Sequence, residues 1–192
     1  MKYFLGGFNA CGKTALIKNI QFCMPTWQII KGSEALMNAF GIPGDYEKLR
    51  KIPQDEKIQK LGEIINSYLY SDGNFILDSH YVNLIRGTRE PNTGPWIANF
   101  DALLLIDVSP ETVLSRMEAD AHFRDRALFP TDMPEKDRFS VLSDYISEYK
   151  DEFSKLGFLH DLHGEVIDGN QSKRDVFRHF LLFHKEFSEC FK

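Results

Sequence analysis

The run Gly7-Phe8-Asn9-Ala10-Cys11-Gly12-Lys13-Thr14 constrains this 192-residue chain more than any other feature. It fits the pattern G-x-x-x-x-G-K-[ST], and its flanks are the ones that pattern needs. Before it, Lys2–Leu5 is an apolar run ending in glycine. After it, Leu16, Ile17, Ile20 and Cys23 recur on one helical face. The glycines let the backbone close into a nest of inward-pointing N–H groups at a helix N-terminus, which suits a chain of phosphates. Gly7, Asn9, Ala10, Cys11 and Gly12 then wrap the phosphates. Lys13 brings charge to the β- and γ-phosphates, and Thr14 offers a hydroxyl to Mg²⁺. The expected ligand is ATP or a similar triphosphate with Mg²⁺. Cys11 reads as a small filler, or as a thiol open to oxidation beside bound phosphate.

The remaining pattern is an alternation. Trp27–Lys31, Asn74–Asp78, Ala102–Val108 and Glu165–Asp168 read as further strands, the middle two as continuous apolar runs suited to a parallel sheet. Helical stripes lie between them: Ile58, Leu61, Ile65, Tyr68 and Leu69, with Asp55, Glu56, Gln59, Lys60 and Glu63 outside; Phe139, Leu142, Ile146, Tyr149, Phe153 and Leu156; and Val176, Phe177, Phe180, Leu181, His184 and Phe187. Ser109-Pro110-Glu111 starts another helix. The expectation is an α/β three-layer sandwich with a parallel, five-stranded sheet, a single domain over 1–192. No repeat or linker interrupts it.

Several function classes are disfavoured. A net charge of −5 argues against a nucleic-acid partner. No run of 18 apolar residues is available to span a membrane. Cys11, Cys23 and Cys190 form neither a disulfide framework nor a zinc motif, which fits a cytoplasmic location. GTP-specific switches need Asn-Lys-x-Asp to read the base, and the chain has none.

Other residues carry two readings each. Asp78, at the end of an apolar run, is placed to hold the hydration shell of Mg²⁺, or it is a strand-end turn residue. Asp107 precedes a clean helix start and reads as structural. Arg116, Arg124 and Arg126 suit a lid that presents guanidinium groups to the transferring phosphoryl; the alternative is surface pairing of Arg124 and Arg126 with Asp120, Asp125 and Asp132. Arg50 is an acceptor-phosphate clamp or a solvated charge beside Lys48 and Lys51. His80 orients acceptor or water, or it is a packed strand-end histidine.

Three segments beside Gly7–Thr14 resemble the P-loop nucleoside monophosphate kinases, above all the archaeal-type adenylate kinases. These are Phe40–Leu61, with Leu49-Arg50-Lys51 leading through Pro53; Asp78-Ser79-His80, similar to the family's Asp-Thr-His; and Arg116–Arg126, with Arg124-Asp125-Arg126. The resemblance implies transfer of the γ-phosphoryl of ATP to AMP, giving two ADP. It implies an acceptor-binding helical region near 32–70, a lid near 120–138, catalytic Lys13, Arg124 and Arg126, a nucleotide contact from Arg116, and acceptor contacts from Arg50, His80 and Arg86. The chain departs from the family in Lys13, where relatives can carry another residue, and in the bulkier run Ala127–Pro134. Tyr81–Trp96, with Arg86 and Arg89, matches poorly. A kinase for another acceptor and a slowly hydrolysing ATP-binding regulatory module are the alternatives.

Overall fold

The computed structural model describes residues 1–69, 73–85, 88–120, 129 and 133–190. In chain order it runs β1 (Lys2–Gly7), α1 (Lys13–Cys23), β2 (Gln28–Lys31), α2 (Gly32–Ala39), α3 (Tyr46–Lys51), α4 (Gln54–Leu69), β3 (Phe75–Asp78), β4 (Val82–Ile85) and β5 (Thr88–Pro91). A 3-10 turn (Pro95–Asn99) follows, then β6 (Ala102–Asp107), α5 (Pro110–Asp120), α6 (Glu135–His160), β7 (His163–Asp168) and α7 (Lys173–Glu189).

Five strands form one parallel sheet, as expected, and they lie in the order β2-β3-β1-β6-β7. The pleat of β1 fills both faces. Tyr3 turns to one side, against Trp27 and the α7 rings Phe180, Phe183 and Phe187. Phe4 turns to the other, against Tyr81, Trp96 and Phe100. Both are fully buried, so the central strand is covered on each face and the sandwich has three layers. From β1 the chain passes to β2 and β3 on one side and to β6 and β7 on the other. The crevice above the carboxyl ends of β1 and β3 is therefore where a ligand is expected in an open α/β sheet.

Some expectations need correcting. Cys23, Phe139 and Leu181 belong to the expected apolar stripes, yet all three are exposed: Cys23 is the last residue of α1, Phe139 lies in the first turns of its helix, and Leu181 turns away from the face formed by Val176, Phe180, Phe183 and Phe187. The helix through Leu142 and Leu156 is longer than its stripe, running to His160, where Asp161 ends it at φ 52°. Residues 135–138, assigned to a lid, begin this helix. Arg116 lies within α5 and not in a lid. The antiparallel β4–β5 hairpin was not anticipated. No helix among the described residues is long and apolar enough to cross a membrane.

Candidate active site

β1 delivers Gly7 to the crevice, and α1 begins six residues later behind Gly12, which holds φ 107°. That left-handed step, with Ala10 at φ 60°, turns the loop back on itself. The start of α1 has no side-chain cap and no acid in its first turn. By contrast Ser172 caps α7 and Asp45 caps α3. The N–H donors of α1 and its positive dipole end are thus left for an anion. Lys13 and Thr14 stand on this first turn, and Thr14 is exposed. The Lys13 ammonium donates to the Gly7 carbonyl at 2.5 Å.

Buried groups fix the loop from behind. The Tyr149 hydroxyl, on α6, accepts the Gly7 N–H at 3.1 Å and the Tyr81 N–H at 2.9 Å, and burial pushes its phenol above the usual range. Cys11 is 2% exposed, with its sulfur against Gly7; a Cβ on Gly7 would lie 2.6 Å from Sγ. This is the filler reading, not an accessible thiol. Arg116 spans two segments: its guanidinium donates to the carbonyls of Ala10 (3.1 Å), Cys11 (3.0 Å) and Gly169 (2.8 Å). It buttresses the loop from the α5 side through the backbone.

Asp78 closes β3, level with Leu5 of β1, and the next residue's N–H donates to the Leu5 carbonyl. Burial holds its carboxyl above the ordinary range, against the opposing pull of Lys13 and Lys31. A hydroxyl at Thr14 and a carboxylate at Asp78 are hard oxygen donors. They suit Mg²⁺, which keeps most of its waters and needs few protein ligands. Among the described residues there is no cluster of three or more His, Cys, Asp or Glu that could hold a metal ion. Asp107, read as structural, pairs with Lys150 at 2.8 Å.

His80 faces the phosphate loop. Its ring meets the Gly7 backbone and, edge-on, Tyr149; burial first and then Lys13 push its pKa well below the usual imidazole value. It is a neutral, packed group at this position, and no acceptor contact follows from that placement. Arg50 sits on α3 at the surface, its guanidinium paired with Glu47 one turn earlier. Arg86, Arg124 and Arg126 lie outside the described residues. Sequence reasoning missed Tyr149 as a site residue, reading it only as one of an apolar stripe. It also passed over Asn92, whose side-chain amide donates to Ser79 Oγ and to the His80 carbonyl. A groove of about 750 Å³ between β7 and α7 is lined by His163, Glu165 and His179 among others, and no phosphate-loop residue borders it.

No family model matches the chain, and no curated protein matches it in sequence. Solved structures do resemble it. The shikimate kinase of Bacteroides thetaiotaomicron superposes with a TM-score of 0.65 at 10% identity, covering 98% of each chain. That of Aquifex aeolicus gives 0.62 at 12%, again over 98% of each. A deoxyadenosine kinase from M. mycoides, solved with dCMP and dCDP, gives 0.56 at 13%, over 98% of this chain and 100% of that one. These kinases share the five-stranded parallel arrangement, and the fold of this chain is the P-loop kinase fold.

Proposed function

We propose that the chain is an ATP-dependent phosphotransferase that moves the γ-phosphoryl of ATP to a nucleoside monophosphate, with AMP as the first acceptor to test. The observation that carries this reading is the uncapped, acid-free start of α1 behind Gly7–Thr14, with Lys13 over it and the Asp78 carboxylate beside it. Lys13 exchanges the Gly7 carbonyl for the β- and γ-phosphates when ATP enters. The backbone N–H groups of Asn9–Thr14 hold the phosphate chain. Thr14 and Asp78 would hold Mg²⁺, which when bound neutralises charge on the bridging phosphate oxygens. Arg124 and Arg126 would meet the transferring phosphoryl from a lid, where charge stabilisation matters most. Arg50 would leave Glu47 for the acceptor phosphate, with Arg86 near it; this exchange costs little, since an exposed ion pair is worth roughly 0–1 kcal/mol. The adenylate-kinase resemblance supplies AMP. The three free cysteines suit the cytoplasm.

A second reading, transfer to a small acceptor other than a nucleotide, is favoured by the surface position of Arg50 and by the fold likeness to shikimate kinases.

The test is a coupled assay of ADP formation with AMP, the other nucleoside monophosphates, deoxynucleosides and shikimate, beside a no-acceptor control and Lys13→Ala. AMP-dependent ADP production that Lys13→Ala lowers roughly 10²-fold or more supports the first reading. Activity with another acceptor alone selects the second. ADP formed at one slow rate whatever the acceptor overturns both in favour of a regulatory module.

A further inference from the structure

Asn92 follows β5 at the base of the hairpin and is 8% exposed. Every hydrogen-bonding group of its side chain is used. Nδ2 donates to Ser79 Oγ at 3.2 Å and to the His80 carbonyl at 2.8 Å. Oδ1 accepts from Gln54 Nε2 at 3.1 Å and, more weakly, from Asn83 Nδ2 at 3.4 Å. Its backbone N–H donates to the Tyr81 carbonyl at 3.1 Å. Only a carboxamide offers two donors and an acceptor oxygen in one plane at this reach.

These contacts grip one turn. Ser79–Tyr81 directly follows Asp78, and its far end shares the Tyr149 hydroxyl with Gly7 of the phosphate loop. Gln54, on the opposite side of the amide, opens α4. One buried side chain thus joins the first residue of α4 to the turn that aims the Asp78 carboxylate and the His80 ring at the loop. Buried polar networks of this kind hold their members to a single geometry, and a misplacement of about 1 Å is worth roughly 10²-fold in rate.

We infer that Asn92 is a positioning residue for phosphoryl transfer: it sets the turn after Asp78 against the phosphate loop without touching either substrate. The inference rests on the phosphotransferase reading and assigns a role that the loop motif does not contain.

The test compares Asn92→Ala and Asn92→Asp with Asn83→Ala. Asn92→Asp has the same shape and keeps the acceptor for Gln54, but loses both donated bonds. Measured are kcat, the KM for MgATP, the dependence on free Mg²⁺, the melting temperature, and the His80 ring resonances in ¹⁵N-histidine-labelled protein. Both Asn92 variants are expected to lose kcat roughly 10- to 100-fold. They should also need more Mg²⁺ and shift the His80 signals, while Asn83→Ala stays within about twofold because its bond is the weakest of the set. A folded Asn92 variant with wild-type kcat, Mg²⁺ dependence and His80 signals overturns the inference and leaves Asn92 as fold glue. If neither Asn92 variant folds, Ser79→Ala, which deletes one donated bond and adds no bulk, decides by the same readouts. If wild-type protein transfers phosphoryl to no acceptor, the phosphotransferase reading fails. MgATP affinity and the His80 signals then judge Asn92 alone, and no change in either overturns its positioning role.

Discussion

Tyr149→Phe isolates one oxygen. The Tyr149 ring lies among Phe8, His80 and Tyr81, with centroids 6.4, 6.2 and 5.6 Å away, and phenylalanine keeps all of these contacts. What disappears is the acceptor for two backbone N–H groups, those of Gly7 and Tyr81. The site is 2% exposed, so water does not replace the hydroxyl without rearrangement. Each orphaned buried donor costs about 1–3 kcal/mol; part is returned because the hydroxyl itself is no longer desolvated, leaving a net loss of about 2–4 kcal/mol. For a domain of this size that corresponds to a fall in Tm of roughly 4–16 °C. Urea unfolding followed by circular dichroism at pH 7 should show a lower midpoint with an unchanged m value, since the surface exposed on unfolding is the same. Because Gly7 loses its N–H anchor, MgATP affinity should fall in parallel. An unchanged midpoint together with unchanged MgATP affinity would refute the claim that this hydroxyl holds the loop. Lost stability with intact affinity would confine its role to the contact between α6 and the turn at Tyr81.

Three further substitutions probe other parts of the same arrangement. Gly6→Ala would place a Cβ 2.2 Å from the Tyr81 ring, whose hydroxyl is tied to the carbonyls of Phe4 and Leu104, so a stability loss of about 1–3 kcal/mol or more is expected by urea titration. Arg116→Lys keeps the charge but cannot reach three carbonyls from two segments; MgATP binding by calorimetry should weaken about tenfold, ~1.4 kcal/mol, and wild-type affinity would deny Arg116 its buttressing role. Burial raises the Asp78 pKa above its ordinary 3.8, so the native state binds the proton more tightly than the unfolded chain, and stability falls as pH rises from about that value through the higher native pKa. Asp78→Asn should therefore raise the Tm of the ligand-free protein at pH 7 and flatten that acid-side slope while abolishing Mg²⁺-dependent transfer; a lower Tm would show that the ionised carboxylate stabilises the fold.

β1, β3 and β6 were legible because each is a short apolar run buried along most of its length, which is what such runs encode; the edge strands β2 and β7 are largely exposed and carry a weaker signal. The β4–β5 hairpin was not legible, because the charged and polar residues of β5 mask its alternation. Arg116 was misgrouped for a geometric reason. Sequence proximity links it to Arg124 and Arg126, yet α5 continues to Asp120 and turns residue 116 toward the loop carbonyls.

Gly7 shows why a loop motif cannot convey how its loop is held. The pattern Gly7–Thr14 names a backbone conformation and a charge, and both are present. The groups that fix that conformation come from elsewhere in the chain: Tyr149 on the Gly7 N–H, His80 beside the Gly7 backbone, and Arg116 on the carbonyls of Ala10 and Cys11. The Tyr149 hydroxyl lies 142 residues away in sequence, and its periodicity marks only a buried helix face. A buried hydroxyl needs a partner, but sequence does not say which, because the partner is chosen by how α6 packs against the sheet. The chemistry of the site is therefore local and its stiffness is tertiary, so variants at Tyr149, Arg116 and Asn92 should separate rigidity from charge where Lys13→Ala cannot.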